Sequence, residues 1–386
     1  MSALSVGFGL MTALDTLCSQ AHGANMQFKI GIYLQASVLV VGACLLPIFV
    51  VNWYCGELLL LLGQDPEITV FGVPFLFAYE MLRKLLQAQN IVKPLVAFAV
   101  VGNLINIVGG YVLTYHTSLG FYGAALSRTL GYMALPLCLF IYFWWSRVYE
   151  AWWPGWQLRA AWQYAPLFLQ LGVPGFLMMG LEWWAYETMA FMAGNLADGV
   201  LAVSAHSVLM NVASFSYTMF LGIAVSGNIR VGNCLGANLP KKAKLIARMT
   251  LMIVSSGSLI VAVLVYQLRF EIPKIIINDP AAIARAAQAL KIMSGYVVID
   301  ATNCVVQGIY RGAGWQNLAA KTNILSYYAV GIPLGAVLAF GFGCGIEGLW
   351  IGFSAGMITT LSVCCTILYQ SDWEQMAIEA RARVAH

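Results

Sequence analysis

The stretch "LQLGVPGFLMMGLEWWAYETMAFMAG", residues 169–194, contains two charged side chains, Glu182 and Glu187, in a run that is otherwise largely apolar. As a helix rising about 1.5 Å per residue, such a run reaches about 39 Å, more than the roughly 30 Å of hydrocarbon in a bilayer. Ten further apolar runs lie near 1–14, 28–53, 70–89, 94–115, 121–145, 201–227, 247–267, 285–308, 319–341 and 344–369. The whole chain of 386 residues is 61% hydrophobic and 9% charged, whereas soluble domains carry roughly 25% charged residues. The expected fold is therefore an all-α polytopic membrane protein with about eleven transmembrane helices.

The charges that remain sort by loop. Alternate connections hold Lys29; Arg83, Lys84 and Lys93; Arg147 and Arg159; Arg230, Lys241, Lys242, Lys244 and Arg248; and Arg311 and Lys321. The intervening ones hold Glu57, Asp65 and Glu67, then His116, Asp198 and Glu347, and only the 268–291 connection, with Arg269, Lys274, Arg285 and Lys291, dilutes the contrast. Basic residues concentrate on the cytoplasmic side, which places the C-terminus, with Arg381 and Arg383, in the cytoplasm. A net charge of +4 distributed in this way indicates no nucleic-acid partner. The nine cysteines form no CxxC pair or Cys/His group at ligand spacing, so no metal or organic cofactor is expected.

Features recur in the same order along the chain. "DTLCSQAHGAN" (15–25) pairs with "NIRVGNCLGAN" (228–238), "QAQNIVKPLVAF" (87–98) with "GAGWQNLAAKTN" (312–323), and "GFYGAAL" (120–126) with "GIEGLWI" (345–351). Both copies fall on the same side of the membrane, which makes this a parallel repeat of the kind found in one class of secondary transporters. The expected organisation is an N-terminal bundle of five helices over 1–145, a cytoplasmic linker over 146–168, a C-terminal bundle of six helices over 169–371, and a cytoplasmic tail over 372–386.

The phrases "DTLCSQAHGA", "LLGQDPEI", "LQAQNIVKPL", "LEWWAYE", "IRVGNCLGA", "YRGAGWQ", "YYAVGIPLG" and "GLWIG" closely resemble the eukaryotic branch of the multidrug and toxic compound extrusion (MATE) family. The resemblance implies two six-helix bundles exporting organic cations or amphiphilic xenobiotics and metabolites in exchange for protons, or alternatively sodium, across the plasma or vacuolar membrane. Aligned on that family, Met1 falls inside the equivalent of helix two, so the first family helix is expected to be lacking. The alternative attached to this expectation is a truncated isoform that inserts without transporting. A signal peptide over the first fourteen residues is disfavoured, because no basic segment precedes the apolar core. The partners expected are a small organic substrate and the lipid bilayer, with the chain acting as a monomer.

Intramembrane acids are costly, by about 2.5 kcal/mol or more at mid-bilayer, and normally face a polar cavity. Five residues of helix turn Glu187 about 140° away from Glu182, so one helix face cannot carry both. Each either meets a cavity or lies at a helix end among headgroups. Asp300 lies about 15 Å along the helix from Arg311, near mid-bilayer; its alternative is a hydrogen bond to Asn303 or Ser294. The resemblance implies that Glu182, Glu187 and Asp300 couple proton and cation binding. A carboxyl group in a low-dielectric cavity favours its protonated form and an adjacent organic cation favours the ionised one, so the two compete. Trp183, Trp184 and Tyr186 offer aromatic faces to a cation, or else belong to packing and an interfacial belt. Asn211, Tyr327 and Tyr328 are further candidates for lining the cavity, and His206 reads as a packing residue. A rival enzymatic reading rests on "GFSAG" (352–356), which fits the G-x-S-x-G hydrolase pattern and would make Ser354 a nucleophile. That pattern lies within an apolar helical run, where small residues at this spacing are ordinary packing positions.

Overall fold

In the computed structural model, residues 2–61 and 72–385 are described, and their regular structure is helical throughout. The helices are α1 (Ser2–Leu10), α2 (Thr12–Gly23), α3 (Gln27–Leu61), α4 (Val73–Ala88), α5 (Lys93–Tyr115), α6 (Phe121–Ser146), α7 (Leu158–Gly194), α8 (Gly199–Gly236) and α9 (Pro240–Gln267). They continue with α10 (Ile272–Ile276), α11 (Pro280–Ala313), α12 (Gln316–Asn323), α13 (Ile332–Ala336), α14 (Gly345–Gln370) and α15 (Trp373–Ala385). α12, α13 and two π-wound stretches, Ile324–Gly331 and Val337–Gly341, form one run from Gln316 to Gly341. Asp65 and Glu67, most of "LLGQDPEI", and the side chains of Cys55 and Glu57 lie outside the described residues.

Nine helices among the described residues are long and apolar enough, each taken singly, to cross a bilayer. The other two expected runs, 1–14 and 70–89, are helical as well but are shorter or more polar among the described residues. The first is divided at Met11 between α1 and α2, and α2 carries Asp15 and His22. The second is α4, whose 16 residues reach only about 24 Å and include Glu80, Arg83 and Lys84.

The chain divides into compact units at Met1–Phe176 and Leu177–Ala385. In the first, Lys84 reaches Asp15 at 2.7 Å, joining α4 to α2. The expected linker is helical from Leu158, within α7, and its non-helical part is held by α3. Gln35 donates to the Gly155 carbonyl at 2.8 Å and accepts from the Gln157 amide at 2.7 Å. A linker rich in aromatic side chains has apolar surface to bury, and Trp152 is almost fully buried.

In the second unit α11 packs along α8, with Gly308 so close to the Ala224 carbonyl that a Cβ would stand 2.7 Å from it. The run 316–341 meets α14 through Gly331 and Gly335 against Gly352 and Gly356. This is small-residue packing, which lets helix backbones approach within a membrane. The expected tail is the ordered helix α15, which packs on α8 and α9 by burying Trp373, Met376, Ala377, Ala380 and Val384. Its Arg383 donates to the Ala313 carbonyl at 3.0 Å, at the end of α11.

The repeat has matching local structure. Asn25 and Asn238 both end helices with positive φ, 60° and 57°, a conformation Asn tolerates better than most residues. Ala24 bonds to Gln20 as Ala237 bonds to Asn233. Gly120 and Gly345 match likewise, with φ of 50° and 59°. The middle pairing is shifted by one residue. Asn90 (φ 62°) corresponds to Gly314 (φ 79°), since each closes its helix with the same pair of backbone bonds.

Candidate functional site

The polar interior of the second unit is built on α11. Tyr296, Asp300, Asn303, Gln307 and Arg311 recur every three or four residues, so they form one stripe along the helix, and all five are buried. Asp300 is 3% exposed and shares a hydrogen bond with the Tyr296 hydroxyl. That hydroxyl in turn bonds to the Tyr186 hydroxyl of α7. Glu182 lies one turn from Tyr186 on the same face of α7, half-buried. It is within electrostatic reach of both Asp300 and Arg311. Two carboxyl groups, two linked phenols and one guanidinium thus interact inside an apolar bundle.

A neutral network continues the stripe. Asn303 donates to the Tyr327 hydroxyl at 3.2 Å, Gln307 donates to the Asn323 side-chain oxygen at 2.9 Å, and Asn323 donates to the Met178 carbonyl at 3.1 Å. Tyr328 donates to the Leu181 carbonyl at 3.1 Å, beside Glu182. Tyr327 and Tyr328 lie in the first π-wound stretch, a departure from α geometry that recurs at functional sites. Below the phenols lies Phe353 of α14, stacked on Tyr327 and Tyr296 at centroid distances of 5.6 and 6.1 Å and tilted against Tyr186 at 4.8 Å.

Of the residues singled out in the sequence, Glu182, Asp300, Tyr186 and Tyr327 come together, and Tyr328 joins them at the backbone. Glu187 stands apart, exposed on α7. Trp183 is half-buried and Trp184 is exposed. Asn211 is exposed and bonds within its own helix, to the Ser207 carbonyl at 2.8 Å. Asp300 bonds neither Asn303 nor Ser294, because Asn303 serves Tyr327 and Ser294 serves the Lys291 carbonyl. His206 is buried, its ring centroid 5.7 Å from that of Trp350. Ser354 donates to the Trp350 carbonyl at 2.7 Å, and the glycines flanking it are the packing seam against Gly331 and Gly335. Arg128 lies on the surface of α6 and donates to the Tyr132 hydroxyl at 3.1 Å. No group of three or more metal-ligating side chains occurs among the described residues.

Tyr296, Gln307, Asn323 and Arg311 were not singled out as site residues. For all but Asn323 the signal lay in the spacing around Asp300, since polar side chains at intervals of three and four in an apolar span mark one inward face.

The MatE family model matches residues 1–112 and 174–337. Multidrug and toxin extrusion protein 1 of Mus musculus is 32% identical over 393 residues, covering 99% of this chain and 68% of that protein. Multidrug and toxin extrusion protein 2 of Oryctolagus cuniculus is 34% identical over 388 residues, covering 98% and 64%. The chain therefore spans about two thirds of the length of these relatives. The crystal structure of the eukaryotic MATE transporter AtDTX14 matches with a TM-score of 0.92 at 29% identity, covering 99% of this chain and 88% of that one.

Proposed function

This chain belongs to the MatE family, and from that membership we propose that it is a secondary antiporter exporting organic cations or amphiphilic xenobiotics and metabolites in exchange for protons. The observation that carries the reading is the convergence of Asp300, buried beside Tyr296, and Glu182, one helical turn from Tyr186, on the hydrogen-bonded Tyr186–Tyr296 pair in the polar interior of the second unit. A carboxyl group in such surroundings is stable with a proton on it or with a cation beside it, and far less so bare. Arg311 offsets part of one negative charge, and the amide network of Asn303, Gln307 and Asn323 adds none. Protonation of the pair and binding of an organic cation are therefore alternatives, and exchange follows when the protein alternates its access with either one bound.

The aromatic side chains suit the same task. Tyr186 and Tyr327 present ring faces and hydroxyls together, and a cation over such a face gains about 0.5–2 kcal/mol. Tyrosine hydroxyls rotate, so each donates to an ionised carboxylate and accepts from a protonated one. Sodium is the alternative coupling ion. The plasma or vacuolar membrane, a cytoplasmic C-terminus and action as a monomer complete the proposal.

Proteoliposomes loaded with tetraethylammonium test it. An imposed proton gradient drives efflux in the native protein, and Asp300→Asn abolishes the dependence on that gradient while insertion is retained. Efflux driven equally well by the gradient in Asp300→Asn and Glu182→Gln would remove the acids from the mechanism. Efflux driven by sodium instead would change the coupling ion. Ser354→Ala leaves efflux unchanged, and an activity lost in that variant would favour the hydrolase reading.

A further inference from the structure

Helix α9 divides lengthwise into a buried face and an exposed one. Ala243, Ala247, Thr250, Val254 and Val265 are buried, while Leu245, Met252 and Leu259 are more than half exposed and lie within about 40° of one another around the helix. The exposed face is apolar from Met249 to Leu264 except for Ser256, whose hydroxyl donates to the Met252 carbonyl, and is polar at its start, where Lys241, Lys242 and Arg248 are all exposed. Seven residues separate Lys241 from Arg248, about 10 Å of rise, comparable to the headgroup layer on one side of a bilayer. The full 28 residues of α9 reach about 42 Å, enough to cross both headgroup layers as well as the hydrocarbon.

Among the described residues these cations are not answered. From Gly199 to Gln267 the chain carries Arg230, Lys241, Lys242, Lys244 and Arg248 and no Asp or Glu. None of the five has an ion-pair partner among the described residues. Arg230 and Lys242 both lie within electrostatic reach of Cys234, so α8 adds its charge to the same cluster. α15, packed nearby, brings Glu374 and Glu379, and Glu379 is taken by Arg383 at 3.6 Å. The three lysines also stand in the first turns of α9, where the helix dipole disfavours positive charge. At the far end of α9 the pattern reverses. Arg269 lies over the rings of Tyr266 and Phe270, and Lys274 pairs with Glu271 at 2.8 Å.

We propose that the exposed face of α9 is a binding site for an anionic phospholipid, with the headgroup phosphate on Lys241, Lys242 and Arg248 and an acyl chain along Leu245, Met252 and Leu259. Arg248 stands at the hydrocarbon boundary and reaches back toward the headgroup along its alkyl stem. A zwitterionic choline headgroup places its own cation among these side chains and gains less. This site is separate from the acids proposed for exchange and does not depend on that reading.

The test titrates purified full-length protein in detergent micelles with phosphatidylglycerol, phosphatidylcholine or inorganic phosphate, and follows the thermal unfolding midpoint. Phosphatidylglycerol raises the midpoint with saturation, phosphatidylcholine does so weakly, and inorganic phosphate has no effect. Each basic residue near an anionic surface accounts for roughly a fivefold preference, so Lys241→Gln/Lys242→Gln/Arg248→Gln weakens phosphatidylglycerol binding on the order of 100-fold. The charge-preserving variant Lys241→Arg/Lys242→Arg/Arg248→Lys keeps it, and Lys242→Gln alone shows about a fivefold loss. Unchanged phosphatidylglycerol affinity in the glutamine variants, equal affinity for phosphatidylcholine, or saturable binding of inorganic phosphate alone would each overturn the proposal.

Discussion

Replacing Gly356 by alanine places a methyl carbon 2.6 Å from the Ser326 carbonyl oxygen, 2.9 Å from the Gly331 Cα and 3.2 Å from the Gly331 nitrogen. All three are backbone atoms, so no side chain can swing aside. Ordinary contacts lie near 3.5–4.0 Å, and relief requires the run 316–341 to retreat from α14 by several tenths of an ångström to about 1 Å. Overpacking of this kind costs about 1–3 kcal/mol. The same retreat separates Tyr327, which lies in the segment pushed, from Phe353 on the helix doing the pushing. Gly356→Ala should therefore lower the thermal unfolding midpoint of detergent-solubilised protein and also weaken substrate affinity. Gly222→Ala is the control, since nothing lies within 4 Å of a Cβ there, and alanine improves a helix interior by roughly 0.5–1 kcal/mol. If both variants unfold alike, the glycine seam is not what sets the spacing of these helices.

Glu182→Gln should lose gradient-driven efflux, whereas Glu187→Gln, altering an exposed carboxyl outside the Asp300 cluster, should retain most of it. Efflux rates in proteoliposomes separate the two. Arg285 reaches Asp198 at 3.1 Å and Glu347 at 2.7 Å, tying the starts of α8, α11 and α14 together. With these groups partly exposed to solvent, Arg285→Met should cost about 1–2 kcal/mol. Adding Glu347→Gln should restore part of that loss in a double-mutant cycle. Arg383→Met removes the bond to the Ala313 carbonyl, and α15 should then be cut more rapidly by trypsin at Arg381.

The membrane class, the repeat and the inward acids Glu182 and Asp300 were legible because hydrocarbon imposes simple rules: long apolar runs, basic loops and few charges. Two of the runs were less plain. Hydropathy cannot see that α1 and α2 meet at Met11, or that α4 carries its polar side chains as pairs, Glu80 to Arg83 and Lys84 to Asp15. The segment 146–168 read as a linker because of Pro154 and its charges, yet Gln35 and Trp152 hold part of it in place and the rest is helix. Which acid turns inward was not settled by the 140° between Glu182 and Glu187. The stripe from Tyr296 to Arg311 was fully present in the sequence, but Asp300 drew attention as a charge while its uncharged neighbours did not. The partners of that stripe, Tyr186, Asn323 and Tyr327, come from other helices, and no local spacing predicts them.

The stripe also bears on how the protein is made. A helix carrying Asp300 across lipid by itself would meet a penalty of about 2.5–3.5 kcal/mol for that charge near its centre. α11 is therefore ill suited to wait alone in the bilayer after leaving the ribosome. Its main packing partners α8 and α9 precede it in the chain, as does α7 with Glu182 and Tyr186, while α14 and the run 316–341 follow it. The order of helices along the gene thus doubles as an order of assembly, in which the most polar span is delivered after the helices it packs on most, and the later helices close over it.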